Sequence, residues 1–191
     1  MRITGGIHKG RRLAAPEGHD VRPTQDRVRE ALFNILMHEI AGARFLDLFA
    51  GSGAVGLDAL SRGAASATFV EANPRHVAFI RSNAAALRLS PEIVQADVEG
   101  YLAAFGGPQP FDVAFADPPY AWGEEKGFTG LIEALARRDI LQRGGLFAVE
   151  TTARAPFADL PGWDLCRDRE YGKSRLVIFR RNIEKQEAET K

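Results

Sequence analysis

One stretch constrains this chain more than any other: Leu46-Asp47-Leu48-Phe49-Ala50-Gly51-Ser52-Gly53-Ala54-Val55-Gly56. It reads as a buried strand that breaks into a glycine turn and then starts a helix. Such a layout lets backbone N–H groups approach a nucleotide-like ligand closely. Around it, strands and helices alternate. Phe45 to Phe49 is the first strand, Ala54 to Ser61 a short helix, and Ala67 to Val70 the next strand, ending at Glu71. Asn73-Pro74 then supplies a cap followed by proline at the first helical position, opening a helix to about Leu87. Ile93 to Gln95 is a third strand with Asp97 just beyond it, Val98 to Phe105 a short helix, and Phe111 to Ala116 a fourth, almost wholly apolar strand, as expected for burial on both faces. Residues 121–130 read as a glycine-containing loop, Leu131 to Arg138 as a helix, and Gly144-Gly145 as a turn into a strand over Leu146 to Val149. Trp163 to Arg167 and Arg175 to Phe179 read as an antiparallel pair at one sheet edge.

This alternation implies a mainly parallel sheet covered by helices on both faces. Ligands of such sheets bind beyond the carboxyl ends of the strands, at the switch point of strand order. Asp47 with Gly51, then Glu71, Asp97 and Asp117, should therefore share one crevice. Upstream, residues 1–21 are rich in glycine and basic residues and suggest a short strand or two and an irregular arm. Thr24 is placed as the N-cap of a helix running to about Glu39, with Asp26 in its first turn and Val28, Leu32, Ile35 and Leu36 on one apolar face.

Bulk properties exclude several classes. With 191 residues, 45% hydrophobic and 26% charged, the chain supports one well-packed domain. Its single cysteine, Cys166, excludes an internal disulfide, and His8, His19, His38 and His76 show no ligand-like spacing, so no metal site is expected. No apolar run approaches the ~20 residues of a membrane span and no signal peptide is evident, so a soluble, cytoplasmic protein is expected. Lys+Arg and Asp+Glu both total 25, so only local basic clusters point to nucleic acid. These are Arg2, Lys9, Arg11 and Arg12 near the start, Arg22, Arg27 and Arg29 around the first helix, and Lys173 among the arginines of 167–181.

Two nucleotide readings compete for the glycine turn. Gly51-x-Gly53-x-x-Gly56, with Glu71 at the end of the second strand, matches a dinucleotide fingerprint, which makes a nicotinamide-dependent oxidoreductase a candidate. Asp47 inside the first strand and Asp97 after the third favour S-adenosylmethionine. A charge inside a parallel sheet is costly without a task, and Asp97 is placed either to accept from an adenine amino group or to cap the helix that follows. Asp117-Pro118-Pro119-Tyr120 then indicates the acceptor. The two prolines stiffen the turn and remove two donors, so that the Asp117 side chain and the Pro118 carbonyl are held as acceptors beside an aromatic face. Acceptors beside a stacking surface suit a flipped-out, amino-bearing nucleobase.

Together, Arg22-Pro23-Thr24-x-Asp26-Arg27-Val28-Arg29-Glu30-x-Leu32-Phe33-Asn34, Leu46 to Gly53 and Asp117 to Tyr120 resemble the RsmD-type 16S ribosomal RNA guanine-N2 methyltransferases over roughly residues 1–180. The resemblance implies a Rossmann-like class I methyltransferase fold: a mainly parallel seven-stranded sheet with an antiparallel edge and helices on both faces. It divides the chain into a basic N-terminal extension over 1–26 packed on the core, a methyltransferase domain over 27–181 and a frayed tail over 182–191. It implies S-adenosyl-L-methionine as methyl donor, held by Asp47, Phe49, Gly51, Gly53, Glu71, Ala72, Asp97, Val98 and Thr24. A guanine of 16S rRNA would be the acceptor, presented to Asp117, Pro118, Pro119 and Tyr120 by a monomeric enzyme acting on an assembled or assembling small subunit. The basic residues named above would contact RNA. Tyr120 stands where phenylalanine is frequent in that family, and the C-terminal hairpin is joined through Tyr171-Gly172-Lys173-Ser174. DNA adenine and cytosine amino-methyltransferases share the Asp-Pro-Pro-Tyr piece and remain the alternative, although no target-recognition insertion is visible between Tyr120 and Gly144.

Overall fold

A computed structural model describes residues 1–15, 23–107, 109–119, 121–122, 126–152, 157 and 160–183, with the backbone alone at 23–25. Its strands are β1 (Arg44–Leu48), β2 (Ser66–Glu71), β3 (Glu92–Gln95), β4 (Phe111–Ala116), β5 (Leu141–Thr152), β6 (Trp163–Tyr171) and β7 (Ser174–Arg181). The helices are α1 (Pro23–Ile35), α2 (Ala54–Ser61), α3 (Pro74–Ala86), α4 (Val98–Ala104) and α5 (Thr129–Arg137). The seven strands lie in the order 3-2-1-4-5-7-6. All neighbours from β3 through β5 pair parallel, while β7 runs antiparallel to both β5 and β6.

Strand alternation divides the core between the two faces of the sheet. Phe45, Phe69, Phe115 and Ala148 belong to a cluster with Leu32 and Phe33 of α1, Leu57 of α2 and Ile80 of α3. Leu46, Leu48, Val70, Ala114 and Phe147 belong to the other, covered by Val98 and Leu102 of α4 and Leu131 and Leu135 of α5. At about 25 cal/mol per Å² of apolar surface removed from water, these two layers are the main favourable term for folding. The fold class read from the sequence is the one observed.

Several local expectations change. Helix α1 begins at Pro23 and ends at Ile35, so Thr24 lies within its first turn and is not its cap. Among the described residues of 1–21 there is no extended strand, only an isolated Arg2–Arg12 bridge and a 3-10 turn at Gly6–His8. Residues 121–122 and 126 are helical where a loop was expected. The fifth strand starts at Leu141 because Gly144, at φ +77°, lets the chain bulge within the strand without leaving it. The register against β4 shifts there, between Phe111 and Val113. The last two strands are longer than expected and meet in a two-residue turn at Gly172-Lys173. Residues 184–191 of the expected tail, and Arg22 and Tyr120, lie outside the described residues.

A buried carboxylate and a buried amide hold residues 1–15. Asp58 of α2, fully buried, accepts from the Thr4 backbone and hydroxyl, the Gly5 backbone and the Arg29 Nε, at 2.8–3.1 Å. Arg29 also donates to Asp26 Oδ1 at 2.8 Å and the Arg2 carbonyl at 2.6 Å. Asn83 of α3 adds a second clasp, accepting from Ala14 N–H and donating to the Ala14 and Ser52 carbonyls. Removing one partner of a buried ion pair leaves the other charge desolvated and unpaired. Asp58→Ala should therefore destabilise the protein by about 3–5 kcal/mol in urea denaturation. A loss below about 1 kcal/mol, the scale of an exposed pair, would show that this network does not hold the N-terminal segment.

Candidate functional site

A cleft of about 810 Å³ opens beyond the carboxyl ends of the parallel strands, and Asp47, Glu71, Asp97 and Asp117 all line it. The expectation of one shared crevice is met. Asp47 is 1% exposed, and its Oδ2 accepts from the Gly56 N–H at 2.8 Å, tying β1 to the first turn of α2. Gly56 permits this close passage: a Cβ there would sit 2.4 Å from the Phe69 ring and 3.1 Å from Asp47 Oδ2. Between strand and helix, Phe49 and Gly51 both take left-handed backbone, at φ 60° and 56°. Side chains other than glycine rarely adopt that region, so Phe49 marks a tightly specified turn.

Glu71 braces the turn from β2. Its Oε2 accepts from Gly51 N–H and its Oε1 from Asn73 N–H, at 2.7 and 2.8 Å, and His76 Nδ1 lies 3.5 Å from Oε1. Asp97 caps α4, accepting from Gly100 N–H at 2.7 Å. Each carboxylate oxygen has two acceptor sites, so both acids retain acceptor capacity toward the cleft. Phe49 stands against Trp122, with ring centroids 5.1 Å apart and planes at 65°, forming an aromatic wall.

Asp117 exposes its surface to the cleft while protein crowds its other sides. That enclosure, with Glu150 and Asp47 nearby, holds its carboxyl well above the usual carboxylate range. Pro118 is buried and Pro119 exposed, and both line the cleft. Glu150 of β5 was not anticipated. The β4–β5 register pairs Phe115 with Ala148 and Ala116 with Val149, so Asp117 and Glu150 follow at adjacent strand ends. Alternation places both on the face of Phe115 and Ala148. Burial raises the Glu150 carboxyl too, opposed by the Ser174 hydroxyl and by the charge of Arg29. A carboxylate directly after the apolar run Leu146 to Val149 is the same signal that marks Asp117 after β4. Trp122, Asn73, His76 and Lys126 also line the cleft and were not anticipated.

Of the other expected residues, Gly51, Ala72 and Val98 line the cleft. Gly53 lies behind the loop, where a Cβ would meet Ile80 and Phe69 at 3.2–3.3 Å. The Thr24 side chain is outside the described atoms. The basic residues are not brought together. Arg29, expected to contact RNA, is 5% exposed and bonded to Asp58 and Asp26, so it is a structural tie. Arg2, Lys9, Arg11, Arg12, Arg27 and Lys173 are exposed. Arg11 donates to the Ala86 carbonyl near the end of α3. Lys9 follows His8, which bonds Ser61 at the end of α2 remote from the glycine loop. Lys173 lies at the cleft end of the sheet, because Ser174 pairs with Thr152. Among the described residues no acid, histidine and cysteine cluster could hold a metal ion.

In dinucleotide-binding sheets the strand order is 3-2-1-4-5-6; here a reversed strand is inserted between β5 and β6. Sheet order, glycine turn and acids at successive strand ends together define a Rossmann-like methyltransferase. A family model described as conserved hypothetical protein 95 matches residues 1–180. The ribosomal RNA small subunit methyltransferase D of Escherichia coli K12 is 36% identical, covering 96% of this chain and 91% of that protein. The putative rRNA methyltransferase YlbH of Bacillus subtilis is 33% identical, covering 95% and 99%. Among solved structures, the putative methyltransferase yhhF from Escherichia coli superimposes with a TM-score of 0.84 at 35% identity, covering 96% of this chain and 99% of that one. The chain belongs to this RsmD family of methyltransferases.

Burial, outweighing the Gly56 hydrogen bond, pushes the Asp47 carboxyl from 3.8 up to about 8, with Glu71 adding to the rise. Between those values the folded state keeps a proton that the unfolded chain releases, so stability falls as pH rises through the window. Asp47→Asn carries no such proton. In urea denaturation, its stability relative to the wild type should rise from about pH 5 to about pH 8. A constant difference would place Asp47 in its ionised form throughout.

Proposed function

We propose that this protein transfers a methyl group from S-adenosyl-L-methionine to the exocyclic N2 of a guanine in 16S ribosomal RNA, acting as a monomer on an assembled or assembling small subunit. The observation that carries the reading is that one cleft holds both the Asp117-Pro118 acceptors and the Gly51, Glu71 and Asp97 set. The names of the Escherichia coli and Bacillus subtilis relatives support rRNA as the substrate class.

The residues present fit the donor. A Cβ at Gly51 would meet nothing within 4 Å, so the loop backbone faces open cleft. Glu71 offers its remaining acceptor sites to ribose hydroxyls, and Asp97, which caps α4 with one oxygen, offers the other to an adenine amino group. Val98 and Phe49 supply apolar surface beside it. Asp47 acts through Gly56, fixing the loop from below. When bound, the donor supplies a sulfonium methyl group open to in-line displacement.

The exocyclic amine of guanine is a weak nucleophile because its lone pair is delocalised into the ring. Asp117 and the Pro118 carbonyl accept its two N2–H bonds, drawing the nitrogen toward tetrahedral geometry and localising that pair. The stiff Pro118-Pro119 turn holds these acceptors before the base arrives. Tyr120 supplies the stacking face in this reading. After transfer the nitrogen carries an extra proton; the raised Asp117 carboxyl can take it, and the open side of the cleft offers water as the alternative. Exposed Arg2, Lys9, Arg11, Arg12, Arg27 and Lys173, with Arg22, provide the sequence-independent phosphate contacts.

Asp117→Ala should lower methyl transfer to small ribosomal subunits by at least about 10²–10³-fold, the scale of losing a preorganised electrostatic partner. Donor affinity measured by calorimetry should stay near that of the wild type. Glu71→Ala should weaken donor binding instead. Full transfer by Asp117→Ala would overturn the assignment, and transfer to DNA in place of rRNA would favour the DNA amino-methyltransferase alternative.

A further inference from the structure

We propose that Glu150 is the specificity-determining residue of this site: its carboxylate accepts the N1–H of the target guanine while Asp117 and the Pro118 carbonyl accept the N2–H groups. This rests on the guanine reading above and adds a residue that neither the glycine turn nor the Asp-Pro-Pro-Tyr motif contains.

The placement comes from the sheet. Asp117 and Glu150 continue the parallel β4–β5 register by one residue beyond Ala116 and Val149, project from the same face, and line the same cleft. Neighbouring parallel strands lie about 4.8 Å apart. Two carboxylates at that spacing form a row of acceptors matched to a row of donors. Guanine offers such a row, N1–H followed by N2–H₂. Adenine and cytosine each place a bare ring lone pair beside their amino group, and that lone pair would face Glu150. A site built around a hydrogen bond strongly rejects the analogue that lacks it, because a buried polar group is then left unpaired.

The carboxylate has no comparable structural task. No ion pair among the described residues neutralises Asp47, Asp117 or Glu150. Arg29, which lines the cleft nearby, is bonded to Asp58 and Asp26. Three acids that line one cleft without a paired cation among the described residues oppose folding, and a glutamine or an apolar side chain at 150 would relieve that cost. β7 flanks β5 on the side away from Asp117, and Ser174 on it opposes the rise of the Glu150 carboxyl. Arrival of two N–H donors favours the charged forms of both carboxyls, so substrate binding offsets what burial disfavours.

The test uses small subunits reconstituted with rRNA in which the base methylated by the wild type is replaced by 2,6-diaminopurine. That base keeps the N2 amine and carries a lone pair at N1. Wild-type kcat/KM should be about 100-fold higher for guanine than for diaminopurine, the scale of losing one hydrogen bond to a charged group. Glu150→Gln can turn an amide N–H toward the lone pair. Its guanine-to-diaminopurine ratio should fall at least 10-fold, with guanine transfer reduced and diaminopurine transfer increased. Thermal unfolding and donor affinity of the variant serve as controls. An unchanged ratio, or equal loss on both bases, would overturn the role of Glu150 while leaving the guanine reading intact. Failure of the wild type to methylate any rRNA guanine would overturn that reading and this inference with it.

Discussion

A single buried hydrogen bond, from the Gly56 amide to Asp47 Oδ2 at 2.8 Å, sets how β1 passes into α2. The passage needs Phe49 and Gly51 in left-handed backbone and leaves Gly56 no room for a side chain. The glycine loop that lines the cleft is placed by this crossing. Glu71 fixes the loop from β2, and α2, once placed, presents Asp58 to the N-terminal segment and to Arg29. A carboxylate in the middle of a parallel sheet is costly, and its raised pKa records that cost. The cost is met by the two core layers on either side of the sheet, both of which include β1 residues.

The acids divide along the sheet. β1 and β4 are neighbours although two strands intervene in sequence, so the switch point of strand order falls between Asp47 and Asp117. On one side lie Glu71 and Asp97, each already tied to backbone N–H groups. On the other lie Asp117, pushed up by burial and by the nearby Glu150 and Asp47, and Glu150, pushed up by burial. The first pair is fixed by backbone donors, and the second is held toward its protonated form. That asymmetry suits a site with a preformed donor pocket on one side and, on the other, acceptors that gain most when a partner arrives.

Much of this was legible because its signals are local. Helix α2, the Asn73-Pro74 start of α3 and strand β4 lie where caps, turns and apolar runs place them. Fifth-strand bounds were misread because Gly144-Gly145 breaks a strand in most contexts; here the neighbouring β4 and β7 ladders hold the chain extended through a bulge. Arg29 reads in the sequence as an RNA contact, although it recurs with Leu32, Phe33 and Leu36 at helical spacing on the buried face. Its partner Asp58 is 29 positions away, a relation that only packing reveals. Glu150 went unnoticed for a different reason: its significance depends on the strand beside it.

The reversed strand β7 explains why Glu150 is available. Had the strand beside β5 run parallel, its own end would have supplied another loop to the cleft. Running antiparallel, β7 begins at the cleft end instead, with Ser174 opposite Thr152 and Leu176 opposite Glu150. The same reversal brings the Gly172-Lys173 turn to that end of the sheet. An inserted strand thus brings one hydroxyl and one basic residue to the cleft end of the sheet. Both effects follow from strand direction alone, before any loop specialises.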